Sequence, residues 1–293
     1  MTSGMTSGLI LLDKPKGLSS QQAIYALRKK LDLPKAIKIG HGGTLDPLAT
    51  GMLVIALGSA TKFLGYLLNA NKTYGVTAKL GQVTTTLDAE GEICAEYPVP
   101  YLDTNQIEPV LQQFTGPIEQ IPPMYSALKF QGRPLYHYAR KGQDIIRPPR
   151  SVHIYSLKLE AINKDKLSFI TEVSKGTYIR SLVHDIGQLL GCGAHVETLH
   201  RLQVDPFEAR QMVALEQISE AHLLPLNIIF KHLPQIALEE PDIKKLKSGQ
   251  KLNTSLNKSG ESQIFALHER RDNQFVALIN IDNQGQIKGE KWV

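Results

Sequence analysis

The residues best suited to chemistry lie in one stretch, Gly40-His41-Gly42-Gly43-Thr44-Leu45-Asp46-Pro47-Leu48-Ala49-Thr50-Gly51. Its glycines allow turns and close approaches that a Cβ would block. Asp46 precedes Pro47, and a residue before proline is driven into extended backbone, so its carboxylate rides on a stiffened bend. A carboxylate held this way can serve as nucleophile or base, or simply begin an Asp-Pro turn. No Gly-Lys-Ser/Thr follows the glycines and the G-x-G-x-x-G spacing is not met, which excludes the common nucleotide-phosphate loops. His41 lies close to Asp46, but no third ligand stands nearby in the sequence, so no metal is expected.

A second group, Lys175-Gly176-Thr177-Tyr178-Ile179-Arg180, leads into a predicted helix with Thr177 as its cap. Arg180 falls in the first turn. It is either a surface arginine or the partner of a buried carboxylate, which a charge-assisted bond would keep ionised. Tyr74 lies on the apolar side of an alternating strand, a place shared by core residues and pocket walls. Between Ile121 and Arg150, basic residues such as Lys129, Arg133, Arg140 and Lys141 interleave with Tyr125, Phe130, Tyr136 and Tyr138. Charge alternating with flat rings suits phosphate contacts and base stacking on RNA.

Hydrophobic periodicity places these groups on an α+β framework. Gly8 to Asp13 reads as a buried strand. Ser19 and Gln22 form a capping box for a helix whose apolar face is Ile24, Leu27 and Leu31. Met52 to Leu57 is an apolar strand, and Ser59 is expected to cap a helix running to about Leu68. Lys72 to Leu80 alternates strictly, with Tyr74, Val76, Ala78 and Leu80 on one side. A helix is expected from Asp103 to Phe114, and a strand flanked by a long surface loop within 121–150. Val152 to Ala161 and Leu167 to Val173 read as a strand pair turning at Asn163-Lys164-Asp165. The helix after Thr177 carries an inner stripe of Ile179, Leu182, Val183, Ile186 and Leu190. From Leu233-Pro234 onward, short runs such as Ile264 to Leu267 and Phe275 to Ile281 suggest a small all-β appendage.

The 293 residues suffice for a large core without disulfides. Cys94 and Cys192 lie far apart in no C-x-x-C pattern, as in a protein of a reducing cytoplasm. Lys plus Arg exceed Asp plus Glu, 33 against 28, for a net charge of +5. That suits a polyanionic partner without demanding one. No apolar run reaches the roughly 18 residues of a membrane span, and no secretory signal is read at the start. The doubled MTSG of the first eight residues is set apart from the fold.

Taken together, the segments resemble one family. GHGGTLDPLATGMLVIALGSATKF (40–63) is similar to the signature of the bacterial tRNA pseudouridine-55 synthases, TruB. So are LLDKPKGLSS (11–20), KTYGVTAKLG (72–81), IPPMYSALKFQGRPLYHYARKG (121–142) and SKGTYIRSLVHDIGQLLGCGAHVETLHRL (174–202). They occur in the family's order from about Gly8 to Phe207. Gly42 departs from the pattern, the family often having threonine there. The resemblance implies a mixed, largely antiparallel sheet flanked by helices over 8–232, after a flexible 1–7. It also implies an RNA-gripping insertion at 121–150 and a PUA-like domain over 233–293.

By the same resemblance Asp46 is the catalytic aspartate and Arg180 the arginine paired with it. Tyr74 is the tyrosine that stacks on the target base and is a candidate to take the proton from C5. His41, Tyr178 and Leu199 surround a flipped nucleotide, Lys14 and Pro15 support the active-site loop, and Lys14, Arg140 and Lys141 are further expected on the substrate side. The implied activity is isomerisation of uridine-55 in the T arm of tRNA, with no cofactor, metal or guide RNA, by a cytoplasmic monomer. A non-catalytic tRNA-binding or tRNA-folding protein on the same scaffold is the alternative.

Overall fold

The structure, a computed structural model, describes residues 7–254 and 261–293. Strand β1 (Gly8–Lys14) is followed by helix α1 (Ser20–Lys30), β2 (Ile39–His41), β3 (Thr50–Leu57), α2 (Leu64–Asn69) and β4 (Lys72–Leu80). A small hairpin, β5 (Gln82–Thr84) with β6 (Ile93–Glu96), precedes α3 (Thr104–Gln113) and β7 (Gly116–Gln120). The basic-aromatic segment forms a second hairpin, β8 (Lys129–Phe130) with β9 (Arg133–Pro134), and a short helix α4 (Leu135–Ala139). Then come β10 (Arg150–Asn163), β11 (Lys166–Val173), α5 (Ile179–Leu189), β12 (Ala194–Val204) and β13 (Val213–Ala214). The tail holds β14 (Gln235–Leu238), α6 (Glu240–Lys247), β15 (Leu252–Asn253), β16 (Gln263–Glu269), β17 (Phe275–Ile281) and β18 (Gln286–Trp292).

The main sheet runs β13-β1-β3-β12-β4-β11-β10-β7, with β2 also paired to β3. Its ladders are antiparallel except β1 with β13 and β3 with β12. The β3–β12 ladder has only two pairs, Thr50 with His200 and Gly51 with Arg201. This short seam joins the two halves of the sheet.

Why some strands read as unbroken apolar runs and others alternate follows from what covers each face. In β1 and β3, Ile10, Leu12, Leu53 and Ile55 pack into a core with Leu27 of α1. Their neighbours Leu9, Leu11, Met52 and Val54 pack on the other side with Phe63, Phe207, Phe230 and Phe275. Strand β4 buries Tyr74, Val76, Ala78 and Leu80 and leaves the intervening positions half-exposed. The helical stripes of α3 and α5 (Ile107, Leu111, Ile179, Leu182, Val183, Ile186) close the first core, with Leu190 half-buried at its edge. The tail sheet, β14-β16-β17-β18-β15, shares the second core, where Phe63 meets Phe230 and Phe275 edge-on and Phe230 stacks on Phe275 at 5.1 Å. The tail therefore packs on the back of the main sheet.

Two predicted caps differ. Tyr178, not Thr177, is the N-cap residue of α5; the Thr177 hydroxyl instead donates to the Ser174 carbonyl at 3.0 Å and closes the preceding turn. Ser59 caps no α-helix, because residues 58–63 first form a 3₁₀ turn and its hydroxyl pairs with Ser7 at 2.6 Å. Of the expected flexible 1–7, residues 1–6 lie outside those described, and Ser7 is held by that contact and by the Ala60 N–H. The Ser19–Gln22 capping box forms as read.

The seam depends on Gly51, whose φ is +93° and where a Cβ would fall 2.4 Å from the Arg201 carbonyl oxygen. Gly51→Ala is expected to cost about 1–3 kcal/mol through backbone strain alone. A lower urea midpoint at unchanged slope would register it.

Candidate active site

The Asp46 loop spans the gap between β2 and β3 and is tied down from several sides. Ser20, the first residue of α1, accepts from the Leu45 N–H at 2.7 Å and donates to the Leu45 carbonyl at 2.8 Å. The Gly17 N–H reaches the Pro47 carbonyl and the Ala49 N–H the Asp46 carbonyl. Lys14, fully buried, donates to the Pro15 and Leu18 carbonyls and so shapes the turn carrying Gly17. Burial lowers the Lys14 pKa to about 8, against the opposing pull of Asp46. Gly42 rests on α2, where a Cβ would lie 2.6 Å from that of Leu67. Threonine at this position would need that helix to shift.

Arg180 meets the loop from the first turn of α5. The Tyr178 peptide just before it is gripped on both sides by the Gln120 amide, N–H to Oε1 at 2.7 Å and Nε2 to carbonyl at 3.0 Å. The Arg180 guanidinium donates to the Thr86 carbonyl at 2.9 Å and the Tyr125 carbonyl at 2.7 Å, and stands 2.9 Å from the Asp46 carboxylate. Two backbone contacts fix its direction, so the ion pair does not rely on a freely rotating side chain. Its other edge faces Asp88 at 3.5 Å, a carboxylate that is itself buried and accepts from the Thr86 hydroxyl and the Glu90 N–H.

Asp46 is half-buried, and burial pushes its pKa up. Arg180 pulls it back down, and Asp88 adds to the rise. Arg180 thus keeps the charged form accessible where desolvation disfavours it.

Asp46, Tyr74, Tyr178, Arg180 and Leu199 line one cavity of about 290 Å³. That is near the lower end of small-molecule pockets, about 300 Å³. Tyr74 comes from the buried face of β4 and Leu199 from β12, directly across the seam from the loop. Burial raises the Tyr178 phenol pKa, partly offset by the nearby Ser126 hydroxyl and the Arg150 and Arg180 charges. Lys14, His41, Arg140 and Lys141 do not line this cavity. Lys14 acts on the loop from beneath. His41 sits on β2 with its Nδ1 buried and without a hydrogen-bond partner; burial, then the nearby Arg201 charge, lower its pKa. Arg140 and Lys141 are exposed at the end of α4, Arg140 over the Tyr136 ring.

Three groups escaped the sequence reading. Asp88 lies in Thr-Leu-Asp-Ala-Glu-Gly, which looks like any polar turn, and nothing in that run marks it. Lys72 did carry a signal, since it shares the buried face of β4 with Tyr74. Its ammonium donates to the Leu67, Leu68 and Ala70 carbonyls at the end of α2, and burial lowers its pKa to about 8. Arg201, two residues beyond Leu199 on β12, is likewise buried against the cavity.

Family models and known relatives match most of the chain. Residues 28–179 match the family model for the TruB family pseudouridylate synthase (N terminal domain), and 180–227 that for the tRNA pseudouridylate synthase B C-terminal domain. The boundary between them falls at Arg180, inside the sheet-and-helix unit that forms the site. A tRNA pseudouridine synthase B of Chromohalobacter salexigens is 43% identical over 287 residues, covering 96% of this chain and 92% of the relative. One from Stutzerimonas stutzeri is 43% identical over 300 residues, covering 98% and 95%.

Among solved structures, the crystal structure of a Cbf5-Nop10-Gar1 complex contains a chain of 26% identity that superposes with a TM-score of 0.71, over 97% of this chain and 84% of that one. The archaeal box H/ACA sRNP Nop10-Cbf5 complex gives 0.69 at 25% identity, over 97% and 85%. The architecture is that of pseudouridine synthases with a PUA-like C-terminal sheet. With the carboxylate, its arginine and the tyrosine of the cavity all inside the matched ranges, and with relatives 43% identical over nearly the whole chain, the chain belongs to the TruB family of pseudouridylate synthases.

Proposed function

We propose that this chain is a tRNA pseudouridine synthase that isomerises uridine-55 of the T arm, acting in the cytoplasm as a monomer without a guide RNA. The Asp46–Arg180 pair at 2.9 Å on the wall of a cavity shared with Tyr74 carries this reading. The relatives named as tRNA pseudouridine synthase B support the tRNA substrate.

In the reaction the N1–C1′ bond breaks, C5–C1′ forms, the C5 proton leaves and N1 ends up carrying a proton. Nothing is oxidised and no water is consumed. The target base must first leave its stack, at a cost of a few kcal/mol. Asp46 presents an ionised carboxylate to the everted nucleotide. Arg180 holds that carboxylate in place and in its charged form. Tyr74 stacks on the uracil and is the candidate to take the C5 proton. Tyr178 and Leu199 wall the base from water, which protects the detached intermediate from hydrolysis. His41 contacts the RNA beside the loop, and Lys14 supports the loop from below. Residues 8–232 form the catalytic unit and 233–293 the PUA-like domain. Arg140, Lys141 and the rest of 121–150 grip the arm from outside.

Mapping pseudouridine in total tRNA after incubation with the purified chain alone tests the whole reading. Modification confined to position 55 is the expected result. No pseudouridine on naked tRNA would sink it. Because phosphate contacts dominate such binding, affinity should also fall steeply with added salt.

A further inference from the structure

Asp46 and its partners reach the cavity from opposite halves of the main sheet. Asp46 hangs on β2 and β3, whereas Tyr74, Arg180 and Leu199 belong to β4, α5 and β12. Only two residue pairs of parallel ladder join β3 to β12, and one of them is Gly51 with Arg201. From that point the Arg201 side chain crosses the seam. Its Nε donates to the Met52 carbonyl on β3 at 2.6 Å, Nη2 to the Gly43 carbonyl at 3.1 Å and Nη1 to the Thr44 carbonyl at 3.4 Å.

We infer that Arg201 is a positioning residue, a staple whose guanidinium fixes the Gly43–Thr44 turn to the seam and thereby sets where Asp46 stands relative to Arg180 and Tyr74. Arg201 is 1% exposed, and among the described residues no carboxylate lies within ion-pair distance of it. A buried cation without a countercharge is costly. Aliphatic side chains would fill such a seam at lower cost, so the rigid fork that spans three carbonyls is what the position uses. Gly43, at φ +134°, presents its carbonyl to the fork, and a Cβ there would sit 3.5 Å from Nη1. The arginine grips main chain two and three residues before Asp46, close enough to set the carboxylate's position and too far to touch it.

This inference rests on the proposed activity, and its test has one readout that does not. Arg201→Met and Arg201→Lys are compared with wild type for tRNA affinity, single-turnover pseudouridine formation against pH, and amide hydrogen exchange. Misplacing a reacting group by about 1 Å costs on the order of 100-fold in rate. The expected result is a loss of that order in R201M and a smaller loss in R201K, whose ammonium cannot span all three carbonyls. Affinity is expected to stay near wild type, and the acid limb of the rate profile to move to higher pH, because an Asp46 displaced from Arg180 is held less firmly in its charged form.

Exchange is expected to quicken at residues 42–46 and not across the sheet. Should R201M fail to fold, R201K carries the same comparison. Wild-type rate and exchange in a folded variant would overturn the staple, as would rate and affinity falling together, the mark of a phosphate contact. If wild type itself makes no pseudouridine, the activity is refuted, and exchange at 42–46 still decides the staple.

Discussion

Asp46→Asn is expected to abolish pseudouridine formation while leaving tRNA affinity near wild type. The amide has nearly the same shape and can still accept from the Arg180 guanidinium, which the Thr86 and Tyr125 carbonyls hold in place regardless. Only the negative charge is lost. If the carboxylate served merely as a turn-forming group, the variant would remain active, because the Ala49 N–H bonds the Asp46 main-chain carbonyl and Ser20 grips Leu45. Turnover above about a tenth of wild type, a barrier change of roughly 1.4 kcal/mol, would refute the assignment. Release of tritium from tRNA labelled at uridine C5 measures it. The same assay separates an enzyme from a protein that only binds or folds tRNA.

Arg180→Ala is expected to lower the rate by about 10²–10³-fold, the loss typical of one aimed donor in a dry site, with a much smaller effect on binding. Its pH dependence is the sharper test. Burial raises the Asp46 pKa and Arg180 opposes that rise. Activity that needs the ionised form falls as pH drops through this pKa. Without the guanidinium the pKa climbs further, so the acid limb of the rate profile should move to higher pH and recover part of the loss in alkaline buffer. An unmoved limb would mean the pair is not what keeps Asp46 charged.

Stability should fall as well, since Asp88, with a side chain only 4% exposed, would lose its countercharge. Breaking a buried pair by removing one partner costs about 3–5 kcal/mol. Arg180→Lys separates the effects: it keeps a positive charge between the carboxylates and gives up the fork that bonds Thr86, Tyr125 and Asp46 together.

Much of this protein was legible one segment at a time. Alternation in Lys72–Leu80 shows which side of β4 is buried, and the apolar runs mark β1 as a buried strand and β3 as an apolar one. Asp46-Pro47 within its glycines marked the bend that carries the carboxylate. All of these are local consequences of side-chain period and backbone preference, so the chain displays them in order. Thr177 and Ser59 misled for the complementary reason. Both are good caps by type, but Ser174 and Ser7 offered their hydroxyls other partners, and a cap is decided by whichever acceptor or donor lies closest in space.

The sequence alone carried the buried side of β4, the stiffened acid and the family signature. The tertiary structure alone decided that Asp88 stands on the far edge of Arg180, that Arg201 crosses from one half-sheet to the other, and that the tail shares a core with β1 and β3. Those facts join residues far apart in the chain, and the energy of a buried charge depends on distances that only packing sets.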